Sequence, residues 1–190
     1  MAILAIILII LAALVILFLL ILVGYYNRFT VLLNRIDNSF AQIDVQLKRR
    51  ADLIPNLIET TKGYAKHEKE IFEKVSEARA ALVSANKSGD MTKRIKADNA
   101  LEGAIGKLFA IAENYPDLKA NQNFLQLQQE LSATEDKIAY SRQFYNDSIL
   151  SYNDSCKTFP GVIFANILGK KPGNWLQIPE AEREAPKVKF

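Results

Sequence analysis

The sequence predicts an all-α fold, with an N-terminal transmembrane helix followed by an antiparallel, up-down bundle of long helices. Three observations carry that prediction. Residues 1–26 contain no charged side chain, so all 45 charges fall in residues 27–190. Apolar residues then recur at steps of three and four through most of the chain. The period-two alternation with closely spaced turns that strands require is missing before the C-terminal tail.

Ala2 to Val23 is an unbroken run of Ala, Ile, Leu, Val and one Phe. At about 1.5 Å per residue it spans ~33 Å, enough for a hydrocarbon core of about 30 Å. Tyr25, Tyr26 and Phe29 follow where an aromatic belt sits. A cleaved signal peptide fits less well: no Lys or Arg precedes the run, and it exceeds an ordinary signal core. Residues 27–50 are net +3, with Arg28 and Arg35 nearest the run. The excess of positive charge near the run predicts the N-terminus outside and the C-terminal body in the cytoplasm, with the membrane crossed once.

Three segments are expected: residues 1–26 as the membrane helix, 27–156 as the long-helix bundle, and 157–190 as a short helix and Pro-rich tail. Phe29, Leu32, Leu33, Ile36, Phe40, Ile43 and Leu47 line one face, so the membrane helix continues as a stalk. A second helix carries Leu57, Ile58, Ala65, Ile71, Phe72, Val75, Ala78 and Leu82. Asp52 capping a new start, with Pro55 in its first turn, is favoured slightly over a kink across Pro55. Gly89 is placed to end this helix with positive φ and Asp90 to cap the next. The third helix runs from about Met91 to Glu113 on Ile95, Leu101, Ile105, Leu108 and Ala112. Close helix contact is the expected reason for Gly103 and Gly106 inside it. Asn114-Tyr115-Pro116-Asp117 ends it. The fourth runs from about Leu118 to Cys156 on Leu125, Leu127, Leu131, Ile138, Tyr145, Ile149 and Tyr152. Short connections favour antiparallel neighbours; a coiled-coil rod ranks second, because strict heptads are not sustained.

Phe159 to Leu168 forms a short apolar helix started by Pro160. Its ten residues do not separate capping the bundle from lying on the membrane surface. Trp175, Leu176 and Ile178 offer a further contact, and 179–190 reads as loosely ordered.

Composition excludes much chemistry. One His and one Cys cannot build a His/Cys metal site or a disulfide within the chain. His67 beside Glu68 has no second catalytic group fixed by spacing, and Cys156 reads as a packing thiol. Ser84-Ala85-Asn86-Lys87 matches Ser-x-x-Lys without the accompanying motifs of acyl-transferring enzymes. The Glu-x-x-His pairs of di-metal bundles and a Gly-rich phosphate loop are both missing. With a body of only +3 and an acidic middle, nucleic acid is not an expected partner. Neither a catalytic residue, a metal nor a cofactor is assigned.

One internal echo stands out. Tyr145-Asn146-Asp147-Ser148 recurs as Tyr152-Asn153-Asp154-Ser155, two helical turns later, so the two Tyr and the two Asn each share a face. Such a stripe sets helix register or binds a partner. The Asn-Asp-Ser triplets and Asn86-Lys87-Ser88 are also formal glycosylation acceptors, relevant only to a luminal or extracellular body.

The chain resembles the LemA family of bacterial membrane proteins along nearly all its length. The resemblance rests on Gln46-Leu47-Lys48-Arg49-Arg50-Ala51-Asp52-Leu53-Ile54-Pro55-Asn56-Leu57, on Gly63-Tyr64-Ala65 with His67-Glu68, and on Ala112 through Asn121. Thr134 through Arg142, the paired Tyr-Asn elements and Phe159-Pro160 extend it. It implies a short extracellular N-terminus, one membrane helix and a cytoplasmic all-helical domain, and supplies no reaction. The matched polar positions are Arg50, Asn56, Glu68, Glu113, Glu135, Arg142, Asn146 and Asn153. They are the candidate structural or partner-binding polar face.

Three functions follow. The leading one is a membrane-anchored helical scaffold or adaptor. Its expected partners are the bilayer through residues 2–23, an unknown membrane or cytoplasmic protein, and a second copy of itself. The alternatives are an enzyme or small-ligand receptor with a carboxylate-lined pocket above roughly 300 Å³, and sensing or remodelling of anionic membrane by the body and basic tail.

Overall fold

The computed structural model describes residues 1–176; Ile178 and the 179–190 tail lie outside them. Six helices follow in order: α1 (Ala2–Lys62), α2 (Lys69–Lys87), α3 (Met91–Ala112), α4 (Pro116–Lys119), α5 (Gln122–Lys157) and α6 (Gly161–Ile167). The described residues form a terminal unit, Met1–Ser39 with the chain from Gln143, and a central unit, Phe40–Arg142.

The central unit is an up-down bundle, and its direction follows from the contacts. Asp44 and Arg50 of α1 pair with Arg94 and Asp98 of α3, so α1 and α3 run parallel. Ala51 meets Arg79, and Lys62 lies over Phe72, so α2 runs against α1. Arg142 meets Asp98 while Phe124 packs edge-on against Phe109, so α5 runs against α3. Leu47, Ile54, Leu57, Val75, Leu82, Leu101, Leu108 and Leu118 fill the interior and are fully buried.

The helix break expected at Asp52–Pro55 does not occur. α1 continues through Pro55 to Lys62, and the chain turns at residues 63–68 instead. Proline removes the N–H that would bond the carbonyl four residues back, which is Ala51. Arg79 Nε donates to that carbonyl at 2.8 Å, so a neighbouring helix supplies the missing donor. Asp52 is accordingly an exposed mid-helix residue and not a cap.

The other punctuation is as expected at Gly89, whose φ is +73°, and at Asp90, whose carboxylate accepts from the N–H groups of Thr92 and Lys93. Gly103 and Gly106 are a correction. A Cβ at either would meet nothing within 4 Å, so close packing is not why they are glycine. Gly103→Ala and Gly106→Ala are therefore each expected to stabilise α3 by about 0.5–1 kcal/mol in denaturant unfolding. The fourth helix is split: α4 is a single turn, and Asn121 Oδ1 accepts from Phe124 N–H at the start of α5. Phe124, Leu131, Thr134 and Ile138 form the buried stripe there, leaving Leu125 exposed.

In the terminal unit, Phe29 and Leu32 of α1 pack with Tyr152 and Cys156 of α5 and Phe164 and Ala165 of α6. Phe29 meets Tyr152 edge-on at 6.2 Å, and Ser39 hydrogen-bonds Ser148. α1 and α5 are thus antiparallel here too. Gly161 is needed for close approach, because a Cβ would lie 2.1 Å from the Ser155 carbonyl oxygen. The apolar stretch of α1 is the one segment among the described residues long and apolar enough to cross a membrane, and none of it is buried inside the protein.

Burial pushes the Tyr152 hydroxyl up to about 12, with a hydrogen bond to Cys156 adding to it. A phenol whose folded pKa lies above its unfolded value of about 10 contributes stability that is present below that value and lost as pH rises through the folded one. The terminal unit is therefore expected to weaken between about pH 10 and 12. Tyr152→Phe should flatten that part of an alkaline unfolding curve followed by circular dichroism.

Candidate functional site

The eight polar positions divide between the two units, six in the central unit and Asn146 and Asn153 in the terminal one. Arg50, from α1, is 2% exposed and reaches Asp98 of α3, which is fully buried, with Nη1 to Oδ1 at 2.7 Å. Arg142, from α5, holds the other carboxylate oxygen at 2.9 Å and also donates to Asn99 Oδ1 at 3.2 Å. Glu102 and Glu135 add weaker charge at 3.7 and 3.9 Å from Arg50. One carboxylate thus joins three helices. Burial pushes the Asp98 carboxyl above the usual carboxylate range, against the downward pull of Arg50 and Arg142. A second buried arginine, Arg94, pairs with Asp44, donates to the Asn86 carbonyl at 2.9 Å and stacks over the Phe40 ring.

Asn146 and Asn153 do a different job in the terminal unit. The Asn153 amide donates to the Gly173 carbonyl at 3.0 Å and accepts the Gly173 N–H at 2.8 Å. Asn146 does the same with Leu176, at 3.3 and 2.9 Å. Each side chain stands in for a peptide group of a neighbouring strand. The spacing explains why seven residues separate them. Two helical turns advance about 10.5 Å, and three extended residues from Gly173 to Leu176 cover about 10 Å. The Tyr-Asn-Asp-Ser echo is a ruler that ties an extended segment to α5. Asn153→Ala removes both bonds and strands the Gly173 N–H, so its amide exchange should speed up about tenfold, measured by hydrogen exchange.

The remaining positions lie apart. Tyr115 donates to Glu68 at 3.1 Å across the turns after α1 and α3. Glu113 pairs with Lys119, and Asn56 and Glu135 are exposed. His67 is exposed, while Cys156 is buried beside Tyr152 with burial raising its thiol. Among the described residues, no group of three or more His, Cys, Asp and Glu could hold a metal ion.

Open cavities above 300 Å³ include two in the central unit. One of about 460 Å³ is lined by Lys62, Lys66, Lys69, Phe72, Glu73 and Ser76, and one of about 390 Å³ by Gln42, Gln46, Asp136, Lys137, Tyr140 and Ser141. Neither is lined by Arg50, Glu135 or Arg142.

Sequence reasoning missed Asp98, Arg94 and Asp44. A signal was present: between Ile95 and Leu101 the inward stripe needs a residue at position 98, and the residue there is acidic. Arg94 lies one turn before it.

The buried Arg-Asp-Arg junction and the Asn ladder both fall within residues 39–190, and that stretch matches the model of the LemA family. The chain belongs to the LemA family. It is 31% identical to Protein LemA of Metamycoplasma hominis over 137 residues, 72% of this chain and 62% of that protein. It is also 27% identical to magnetosome protein MamQ of Magnetospirillum gryphiswaldense, over 77% of this chain and 62% of MamQ. MamQ 2 of Paramagnetospirillum magneticum is 26% identical over 80% of this chain and 64% of its own length. The chain thus spans somewhat under two thirds of each of these relatives. It is a membrane-associated member of the LemA family, all-α, with an apolar N-terminal helix and a bundle of long helices.

Proposed function

We propose that this chain is a membrane-tethered helical scaffold that holds another protein, and that it catalyses no reaction. The observation that carries this is the fate of the strongest charges. Arg50, Asp98 and Arg142 are spent on one another inside the bundle, and neither cavity gathers them around a space for substrate. A buried junction of this kind fixes the register of three helices. Arg50, Arg142, Asn146 and Asn153 then serve architecture, leaving Asn56, Glu113 and Glu135 on the surface.

The bilayer holds residues 2–23 of a single-pass protein in a bacterial inner membrane, with the N-terminus outside and the bundle in the cytoplasm. Arg28 and Arg35, the basic residues close to the end of the run, support that orientation.

Two experiments test the proposal. Full-length protein released from membranes in mild detergent should co-purify with one other protein in constant ratio; recovery of this chain alone contradicts it. For orientation, Lys66→Cys in a Cys156→Ser background should react with an impermeant maleimide only after cells are permeabilised. Reaction in intact cells reverses the topology.

A further inference from the structure

We infer that α6 is a second membrane contact, lying in the leaflet where the apolar run of α1 ends. This rests on α1 crossing a membrane and does not depend on the scaffold proposal. The helix Gly161–Ile167 carries no charged residue and is apolar on two faces. Its inner face is covered: Phe164 stacks on Tyr25 at 4.7 Å and Ala165 is buried. Its outer face is bare. Ile163 at 46% and Ile167 at 55% lie one turn apart on one face, and Phe159, in the turn just before the helix, is 81% exposed.

The depth of this stripe identifies what covers it. Phe164 also packs on Phe18 at 5.8 Å. Phe18 lies inside the apolar run, five residues before its end at Val23, which is about 7.5 Å along the helix. Interfacial helices bury their apolar face about 5–10 Å into the boundary between headgroups and acyl chains. A helix seated against Phe18 and Tyr25 therefore sits at acyl-chain depth, and its bare stripe continues the lipid-facing surface of α1. The flanking charges agree. Lys157 precedes the helix and Lys170 and Lys171 follow it, placed to reach anionic headgroups while their stems stay apolar. The occupant is lipid, with a preference for an anionic leaflet.

The single Trp175 makes the test direct. In a Trp175→Phe background, Ile163→Trp, Phe159→Trp as a second position and Leu14→Trp within the apolar run as the reference each supply one Trp. The full-length variants are reconstituted in vesicles of phosphatidylcholine with phosphatidylglycerol, with and without brominated acyl chains. Circular dichroism checks that each variant is folded. Trp at 163 or 159 should be quenched by bromine to at least about half the extent seen at 14, with a blue-shifted emission. Quenching by aqueous iodide in place of bromine would show a water-facing helix and overturn the inference. Protection from both quenchers would show that protein covers the stripe, and overturn it as well. If bromine fails to quench the reference at 14, the membrane crossing itself is wrong and the inference falls with it.

Discussion

Asp98→Ala is expected to cost the central bundle about 3–5 kcal/mol, because it leaves two guanidinium groups without their shared carboxylate in a buried setting. Arg50 is 2% exposed, so water cannot replace the lost partner there. Arg142 is more open at 18% and keeps Asn99, which moderates its share. At about 4 °C per kcal/mol for a unit of this size, the thermal midpoint should fall by roughly 12–20 °C. The direction reverses when the whole junction is replaced. Arg50→Met, Asp98→Leu and Arg142→Met together should recover most of that loss, since apolar residues of similar volume need no pairing. Urea unfolding of the full-length protein in detergent, followed by circular dichroism, separates these outcomes. A small effect of Asp98→Ala alone would show that the junction is not what joins the helices.

Arg79→Met should cost about 1.5–3 kcal/mol, for a reason that lies on another helix. It strips the donor that replaces the proline-deleted hydrogen bond at the Ala51 carbonyl, and Ala51 is 1% exposed. Pro55→Ala restores the backbone N–H. In that background the cost of Arg79→Met should fall to a few tenths of a kcal/mol, giving a coupling on the order of 1–2 kcal/mol in a double-mutant cycle. If the two substitutions are additive, Arg79 does not compensate Pro55, and the unbroken path of α1 needs another explanation.

What the sequence made legible, and what it hid, divides along local and non-local lines. The apolar run, the stripe through Ile43 and Leu47, the positive φ of Gly89 and the Asp90 cap are set within a few residues, and each could be read there. Pro55 was misread because the group that rescues it lies 28 residues from the Ala51 carbonyl it serves and arrives only when α2 folds back. Leu125 looked inward by composition, yet the stripe through Leu131 and Ile138 extends back to Phe124 and leaves it outside. Gly103 and Gly106 suggested close packing that open space does not require.

The site divides the same way. The seven-residue echo of Asn146 and Asn153 was visible, but its partners at Gly173 and Leu176 belong to an extended segment that no helical period announces. Arg50 and Arg142 came from the resemblance, whereas their shared Asp98 was visible as an acidic residue on an apolar face. Treating the matched polar residues as one face merged buried charges that join helices with exposed ones such as Glu135.

The proposed scaffold function makes a claim about surfaces: another protein is held by the outside of the bundle, while the buried junction only maintains its shape. In-cell crosslinking of the full-length protein, followed by affinity recovery and quantitative mass spectrometry, tests it most directly when wild type is compared with Asp98→Ala and with its triple apolar replacement. One stoichiometric partner is expected with wild type, lost with Asp98→Ala in proportion to unfolding, and restored in the triple variant. Recovery of no protein but this chain, or loss of the partner in a triple variant that is fully folded, would contradict the account.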